Sequence, residues 1–234
     1  MDKKRRQARS ERRQQERRKQ QTRNLILIGV GALIVVGFLV FSNRRPTDVT
    51  AAGERQHPMA NDNTLGNPDA PVTIEVFSDF QCIHCFDYYE NVEAAIVDQY
   101  VPTGQVYYIY RSFGPFLGPE SQTAAEAAYC AGEQNKFWEY HDTIFANYSS
   151  SNAGGYSNNN LIAFAETAGL DEAEFRSCFN SGTYANRVNQ DYIDGQGMGA
   201  SGTPAIFING ELAFAGAPTV TDFQNAIEAA LAGQ

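Results

Sequence analysis

The sequence predicts an α/β domain that carries an inserted block of helices and is preceded by one N-terminal transmembrane helix. Three observations predict it. Residues 25–41 form an apolar and glycine run without a charge. Residues 72–77 and 106–110 are rich in β-branched and aromatic side chains and enclose a stretch of helical periodicity. Several further helical patterns then stand between the second of these segments and a strand–turn–strand pattern near the C-terminus.

The charge distribution orients the first element. Residues 1–24 hold 11 Lys and Arg against 3 Asp and Glu, a balance of +8, whereas the remainder carries −17. The run 25–41 approaches the roughly 17 to 25 residues that cross a bilayer as helix. A helix of a soluble core would show a polar face, and this run is apolar all round. A cleaved leader has a shorter apolar region, roughly 7 to 15 residues. The nearest small-residue site, 49–52, also lies beyond the charged stretch 43–48, so the run is expected to stay as an anchor. Basic flanks remain cytoplasmic, which places residues from about 43 onward outside the cell membrane. Arg12, Arg13, Arg17, Arg18 and Lys19 would suit phosphates, but directly before a span they set topology, and no nucleic-acid partner is expected. The paired arginines lack the context of a twin-arginine export signal.

Residues 42–65 are polar, with almost no large apolar side chains, and are expected to form a flexible tether in which His57 is solvated. Order is expected from the turn cluster Asn67-Pro68-Asp69-Ala70-Pro71, followed by a strand over 72–77. From Cys82, the residues Phe86, Tyr89, Val92, Ile96 and Tyr100 recur at helical spacing until Pro102 and Gly104 end the pattern. With the strand 106–110, this predicts a parallel strand–helix–strand unit with a right-handed crossover. Helical patterns follow over 124–129, 137–145, 161–168, 172–179 and 184–193, with 149–160 as a loop. Trp138, Tyr140 and His141 fall at core spacing within them. Residues 205–208 and 212–215 flank Asn209-Gly210, a two-residue turn that favours positive φ, and predict an antiparallel hairpin. The last helix takes its cap from Thr219 or Thr221 and its buried stripe from Phe223, Ile227 and Leu231.

The chemistry centres on Phe77-Ser78-Asp79-Phe80-Gln81-Cys82-Ile83-His84-Cys85, a C-x-x-C where a strand hands over to a helix. At a first helical turn, unsatisfied backbone N–H groups and the helix dipole favour a Cys82 thiolate. Cys85, three residues on, lies on the same face and can resolve a mixed disulfide formed at Cys82. His84 between them can stabilise the thiolate further by charge or hydrogen bonding. A zinc site would need two more ligands at matching spacing. Cys130 and Cys178 are isolated and no second C-x-x-C exists, so no metal is expected. Farther along, Gly202-Thr203-Pro204 precedes a strand, where Pro204 could merely open an edge strand.

A C-x-x-C at a helix start, then Thr-Pro before a strand, a hairpin and a last helix, resembles the thioredoxin superfamily. Asp79-Phe80-Gln81-Cys82-x-x-Cys85, Ala127-Ala128-Tyr129-Cys130-Ala131, Phe137-Trp138-x-Tyr140-His141-Asp142 and Gly202-Thr203-Pro204 are similar to its DsbA-type branch, which inserts a helical domain into the thioredoxin fold. The resemblance implies a catalytic domain over 66–234, with its insertion at about 119–197, behind a basic segment 1–24, an anchor 25–41 and a linker 42–65. It implies that Pro204 is cis and that the backbone of Thr203 pairs with an extended substrate segment. It also implies that Glu75 serves as base for Cys85, against the alternative of a half-exposed strand residue. With Cys82 and Cys85 paired, one pairing is left for the other two cysteines, a structural disulfide Cys130–Cys178.

The expected activity is oxidation of exported proteins with free thiols by the Cys82–Cys85 disulfide, without organic cofactor or metal. A quinone-linked membrane protein is the expected recycling partner. A reductase or isomerase would use the same cysteines as resting thiols, and an anchored binding module would use the Thr203 groove without turnover.

Overall fold

The computed structural model describes residue 23 and residues 29–36 and 48–233. The chain divides into two units, Met1–Arg45 and Pro46–Gln234. In the first, residues 29–36 are helical and expose Leu33 and Ile34. The rest of the expected anchor, the basic segment apart from residue 23, and linker residues 42–47 lie outside the described residues. Among the described residues, no helix is long and apolar enough to cross a membrane.

The second unit is built on a five-stranded sheet. Its strands are β1 (Thr64–Leu65), β2 (Val72–Ser78), β3 (Val106–Ser112), β4 (Ala205–Ile208) and β5 (Glu211–Ala215), in the spatial order β1-β3-β2-β4-β5. β2 and β3 run parallel over their full length, as the strand–helix–strand unit requires, whereas β4 lies antiparallel to both β2 and β5. The hairpin between β4 and β5 turns on Asn209 and Gly210 at φ 52° and 82°, the left-handed pair that a tight two-residue turn demands. Because β4 is paired on both sides, Pro204 does not open an edge strand. It ends the loop in front of a central one.

The connection from β2 to β3 starts with α1 (Ile83–Tyr88) and ends with α2 (Ala94–Tyr100), joined by one π-helical turn over Tyr89–Glu93. The wider turn rotates the face presented after it, and it brings Tyr89, Val92 and Glu93 all into the interior. A strict 3.6 period does not foresee it. Between β3 and β4 stand α3 (Pro119–Gly132), α4 (Phe137–Ala146), α5 (Asn158–Thr167), α6 (Glu172–Ser181) and α7 (Ala185–Met198), the inserted helical domain. Helix α8 (Val220–Ala232) closes the chain, capped by the Thr219 hydroxyl on the Asp222 N–H.

Aromatic packing joins the insertion to the sheet. Phe80, Tyr110, Phe137, Trp138 and Phe145 surround the fully buried His141 ring. On the other side of the sheet, Gly195 lets α7 approach so closely that a Cβ there would stand 2.7 Å from the Phe77 ring. The Cys130–Cys178 disulfide is present and ties α3 to α6, with an S–S distance of 2.02 Å.

The segment preceding the sheet departs from the expected tether. From residue 48 it lies on the domain. Thr50 and Asn147 exchange hydrogen bonds, the Arg55 guanidinium stacks 3.6 Å over the Tyr89 ring, and His57 reaches Asp142 at 2.9 Å. Leu65 is buried, and β1 adds to the edge of β3. His57 is therefore a docked side chain and not a solvated one. Low apolar content does not prevent docking when individual polar groups find partners on an ordered surface.

Candidate active site

Strand β2 ends at Ser78, and the loop 79–82 delivers Cys82 to the N-cap of α1 with extended backbone (φ −80°, ψ 124°). The first turn of a helix leaves N–H groups without helical acceptors. Here the amides of His84 and Cys85 face the Cys82 sulfur. Both Cys82 and Cys85 are free thiols, Cys85 fully buried and Cys82 9% exposed. Across from them the Thr203–Pro204 peptide bond is cis, and the Cys82 thiol donates to the Thr203 carbonyl at 3.4 Å. Cys82, Cys85, Thr203 and Pro204 thus converge from two ends of the chain.

The two sulfurs differ sharply in acidity. Cys82 is lowered from 9.0 to about 5. The hydrogen bond from the Cys85 thiol is the leading cause; burial opposes it, and the Thr203 side chain and the amides of Cys85 and His84 add to it. Cys85 is held well above the usual thiol range, first by burial and then by the neighbouring Cys82 sulfur, even though the Asp79 N–H donates to it at 3.4 Å. At neutral pH this is a thiolate that keeps only a small opening to solvent and a protonated thiol enclosed completely beneath it. Such a pair has an exposed nucleophile or leaving group and a buried resolving group.

A groove of about 800 Å³ runs from the active-site helix to the loop before α8, with His84, Asp87, Val92, Thr203, Gly216 and Pro218 among its lining residues. It passes the backbone of Thr203, where an extended chain can lie beside Cys82.

Two expected residues stand elsewhere. The His84 side chain is 70% exposed and faces Asp87 at 4.0 Å, so His84 reaches the thiolate through its backbone amide and not through its imidazole. Glu75 is corrected more strongly. Strand alternation places it on the face of Phe77 and Phe207, opposite the Ile74 and Val76 side chains that pack with Cys85. Its carboxylate accepts from Arg111 at 3.1 Å, in a cluster where Arg111 also bonds Asp191 and Asp194. Glu75 is a partner of Arg111 and not a base for Cys85.

The loop contains residues whose part the motif alone does not reveal. Asp79 is buried at 1% exposure, and burial is the leading cause that raises its carboxyl to about 7. Gln81 fastens the loop to the insertion, donating to Glu120 at 2.9 Å and accepting from the Ser121 hydroxyl at 3.1 Å and the Asn152 N–H at 3.2 Å. A polar residue on each side of Phe80, directly before the cysteine, is the only sequence signal for either.

Among the described residues, Glu93, His141 and Asp142 form one buried donor group that could hold a cation, and it includes neither redox cysteine. Burial pushes Asp142 up, but hydrogen bonds from His141 and His57 prevail and hold it at about 2. The group is thus internally paired.

Comparison with known proteins places this geometry. The chain is 26% identical over 192 residues to the probable disulfide bond formation protein D of Bacillus cereus, covering 80% of this chain and 88% of that protein. BdbD from Bacillus subtilis, in its oxidised form, superposes with a TM-score of 0.66 at 24% identity, over 79% of this chain and all of that one. DsbA of Chlamydia trachomatis gives 0.64 at 20% identity, over 81% of this chain and 98% of that one, and shares the fold. A family profile described as thioredoxin matches residues 59–229. The chain accordingly belongs to the thioredoxin family, as a DsbA-like protein with an inserted helical domain.

Proposed function

We propose that this thiol–disulfide oxidoreductase is a membrane-anchored dithiol oxidase that introduces disulfides into exported proteins. The observation that carries the reading is the environment of Cys82 in the dithiol form. Every group that stabilises its thiolate stabilises the reduced protein and so makes the disulfide a stronger oxidant. A substrate thiolate attacks the Cys82 sulfur, the S–S bond breaks, and Cys85 leaves and takes up a proton. The second substrate thiolate then attacks the substrate sulfur of the mixed disulfide and expels the Cys82 thiolate. The substrate is oxidised by two electrons, and the enzyme leaves as the dithiol.

The thiols must then be reoxidised, and a quinone-linked membrane protein is the partner we assign. The charge-free run 25–41 behind 11 basic residues supports an N-terminus in the cytoplasm and a catalytic domain outside. Sharing one membrane would raise the effective concentration of the two proteins. The similarity to disulfide bond formation protein D supports the oxidising direction.

The test is the equilibrium of the full chain in detergent with glutathione buffers. An oxidase stays reduced in mixtures that oxidise thioredoxin, whose couple lies near −270 mV. A pair that instead titrates near that thioredoxin value is a reductase, and the proposed direction fails.

A further inference from the structure

Cys82 takes its backbone direction from the residue before it. The Gln81–Cys82 peptide group is held at both of its polar ends. Its N–H donates to the Asp79 carbonyl at 3.0 Å, within the loop, and its carbonyl accepts from the Tyr148 hydroxyl at 3.3 Å, from the inserted domain. One residue earlier, the Phe80 carbonyl accepts from the Tyr156 hydroxyl at 3.0 Å. Two tyrosines of the segment after α4 thus hold two successive carbonyls of the active-site loop.

The Gln81 side chain reaches into the same domain and is buried there. Its Nε2 donates to Glu120 Oε2 at 2.9 Å and to the Ser150 carbonyl at 3.3 Å, and its Oε1 accepts from the Ser121 hydroxyl at 3.1 Å and the Asn152 N–H at 3.2 Å. A side-chain amide offers two donors and two acceptor positions, and here the inserted domain occupies them all. Glu120 in turn accepts the Gly154 N–H at 2.9 Å, so the start of α3 and the loop after α4 meet on this one amide. Tyr148 also stacks on Phe86 of α1, with ring centroids 4.7 Å apart. The segment that grips Gln81 therefore touches the helix whose N-cap is Cys82.

Small displacements at this point matter to the chemistry. The Cys82 thiolate is stabilised by the Cys85 thiol and by the amides of Cys85 and His84. Hydrogen bonds weaken steeply with angle, so each of these depends on the sulfur staying in front of the helix start. A cysteine side chain turns about a single bond, and its sulfur goes where the backbone sends it. The loop's own bond fixes the N–H end of the peptide before Cys82, and the inserted domain fixes the carbonyl end.

We propose that Gln81 is a positioning residue for the redox reaction, through which the inserted domain holds the Cys82 sulfur against the start of α1 and thereby sets how oxidising the Cys82–Cys85 pair is. Gln81 touches neither substrate nor sulfur and acts through the Cys82 backbone. The proposal rests on the thiol–disulfide exchange described above and holds for either direction of flow. It makes the insertion part of the active site.

The test uses the full chain in detergent, natural and as Gln81→Met, which keeps the length of the side chain, adds no charge and removes its hydrogen bonds to the inserted domain. Thiolate absorbance followed against pH reads the Cys82 midpoint. It is expected to move up by about one pH unit in Gln81→Met, a tenfold loss of thiolate stabilisation. At neutral pH the equilibrium with glutathione is expected to shift toward the Cys82–Cys85 disulfide by the same factor, about tenfold. A clamp that only held the fold together would lower the urea midpoint and leave both readings where they are. An unchanged Cys82 midpoint in folded Gln81→Met overturns the proposal, whatever the loss of stability. If Gln81→Met yields no folded protein, Tyr148→Phe decides instead, because it keeps the stack on Phe86 and releases only the Gln81 carbonyl. An upward shift of the Cys82 midpoint there supports the proposal, and an unchanged one overturns it. The test reads the difference between variant and natural protein, so the oxidase reading, which rests on the potential of the natural protein, stands or falls separately.

Discussion

At the scale of single residues, the folded protein stabilises one ionised sulfur, and that has a consequence for stability. Cys82 is lowered to about 5 in the folded dithiol form, against an ordinary 9.0 that the unfolded chain recovers. A lowered pKa contributes stability that is complete above the unfolded value and is lost as pH falls through the folded value. Between these limits the contribution changes by about 1.4 kcal/mol per pH unit. Because half of the thiolate still remains at pH 5 and solvent screens part of the effect, the dithiol form is expected to lose at most roughly 2 kcal/mol of stability between pH 7 and pH 5, relative to the disulfide form, which has no such thiol. Urea unfolding of both forms at the two pH values measures it, and a gap between the forms that does not close toward pH 5 contradicts the thiolate assignment. The cysteines, Thr203 and Pro204 were legible from the sequence because a C-x-x-C at a strand–helix junction and a Thr-Pro before a strand are local patterns. The direction of a side chain is not local. The imidazole of His84 turns outward and the carboxylate of Glu75 turns to the far face, and each depends on partners remote in sequence, Arg111 in the case of Glu75.

At the scale of elements, Arg111 on β3 joins the sheet to α7. Its guanidinium contacts Asp191 at 2.7 Å, Asp194 at 2.6 Å and Glu75 at 3.1 Å, and the buried Asp191 also accepts from the Tyr129 hydroxyl. Removing Glu75 leaves the guanidinium with two carboxylates, so Glu75→Gln is expected to cost about 1 kcal/mol and to leave the Cys82 titration where it is. Removing the guanidinium leaves Asp191 buried and uncompensated. Arg111→Ala is expected to cost about 3 kcal/mol or more. Chemical unfolding of both variants, with thiolate absorbance followed against pH, separates this account from the proton-relay role that the sequence suggested for Glu75. A shifted thiol titration in Glu75→Gln restores that role. Periodicity located the strands and helices of this region well, because each buries one face. It missed the π-helical turn at Tyr89–Glu93, where one extra residue per turn is set by what the interior can accommodate and leaves no mark in a 3.6 pattern.

At the scale of the whole molecule, the segment before β2 decides where the folded domain begins. Its polar composition reads as a tether, yet its contacts are spread along its length. Thr50 engages Asn147, Arg55 covers Tyr89, His57 reaches Asp142, Asn63 donates to the Tyr110 carbonyl, and Trp138 donates to the Thr64 carbonyl. Each is a single polar partner, and single partners carry no period that a sequence can display. The energetic weight lies at the end nearest the sheet. Leu65 is fully buried, worth roughly 1.5 to 3 kcal/mol, and each of the neighbouring hydrogen bonds adds about 1 kcal/mol. A protein beginning at Gly66 is therefore expected to be less stable than one beginning at Asp48 by roughly 3 to 5 kcal/mol, and to expose the Trp138 indole and the Glu93–His141–Asp142 group to water. Trp138 is the one tryptophan of the chain, so its fluorescence reports directly on the loss of the covering segment. A red-shifted emission and a lower urea midpoint in the shorter protein are the expected results. Equal midpoints and an unchanged emission would mean that residues 48–65 rest on the domain without stabilising it, and the tether reading would stand.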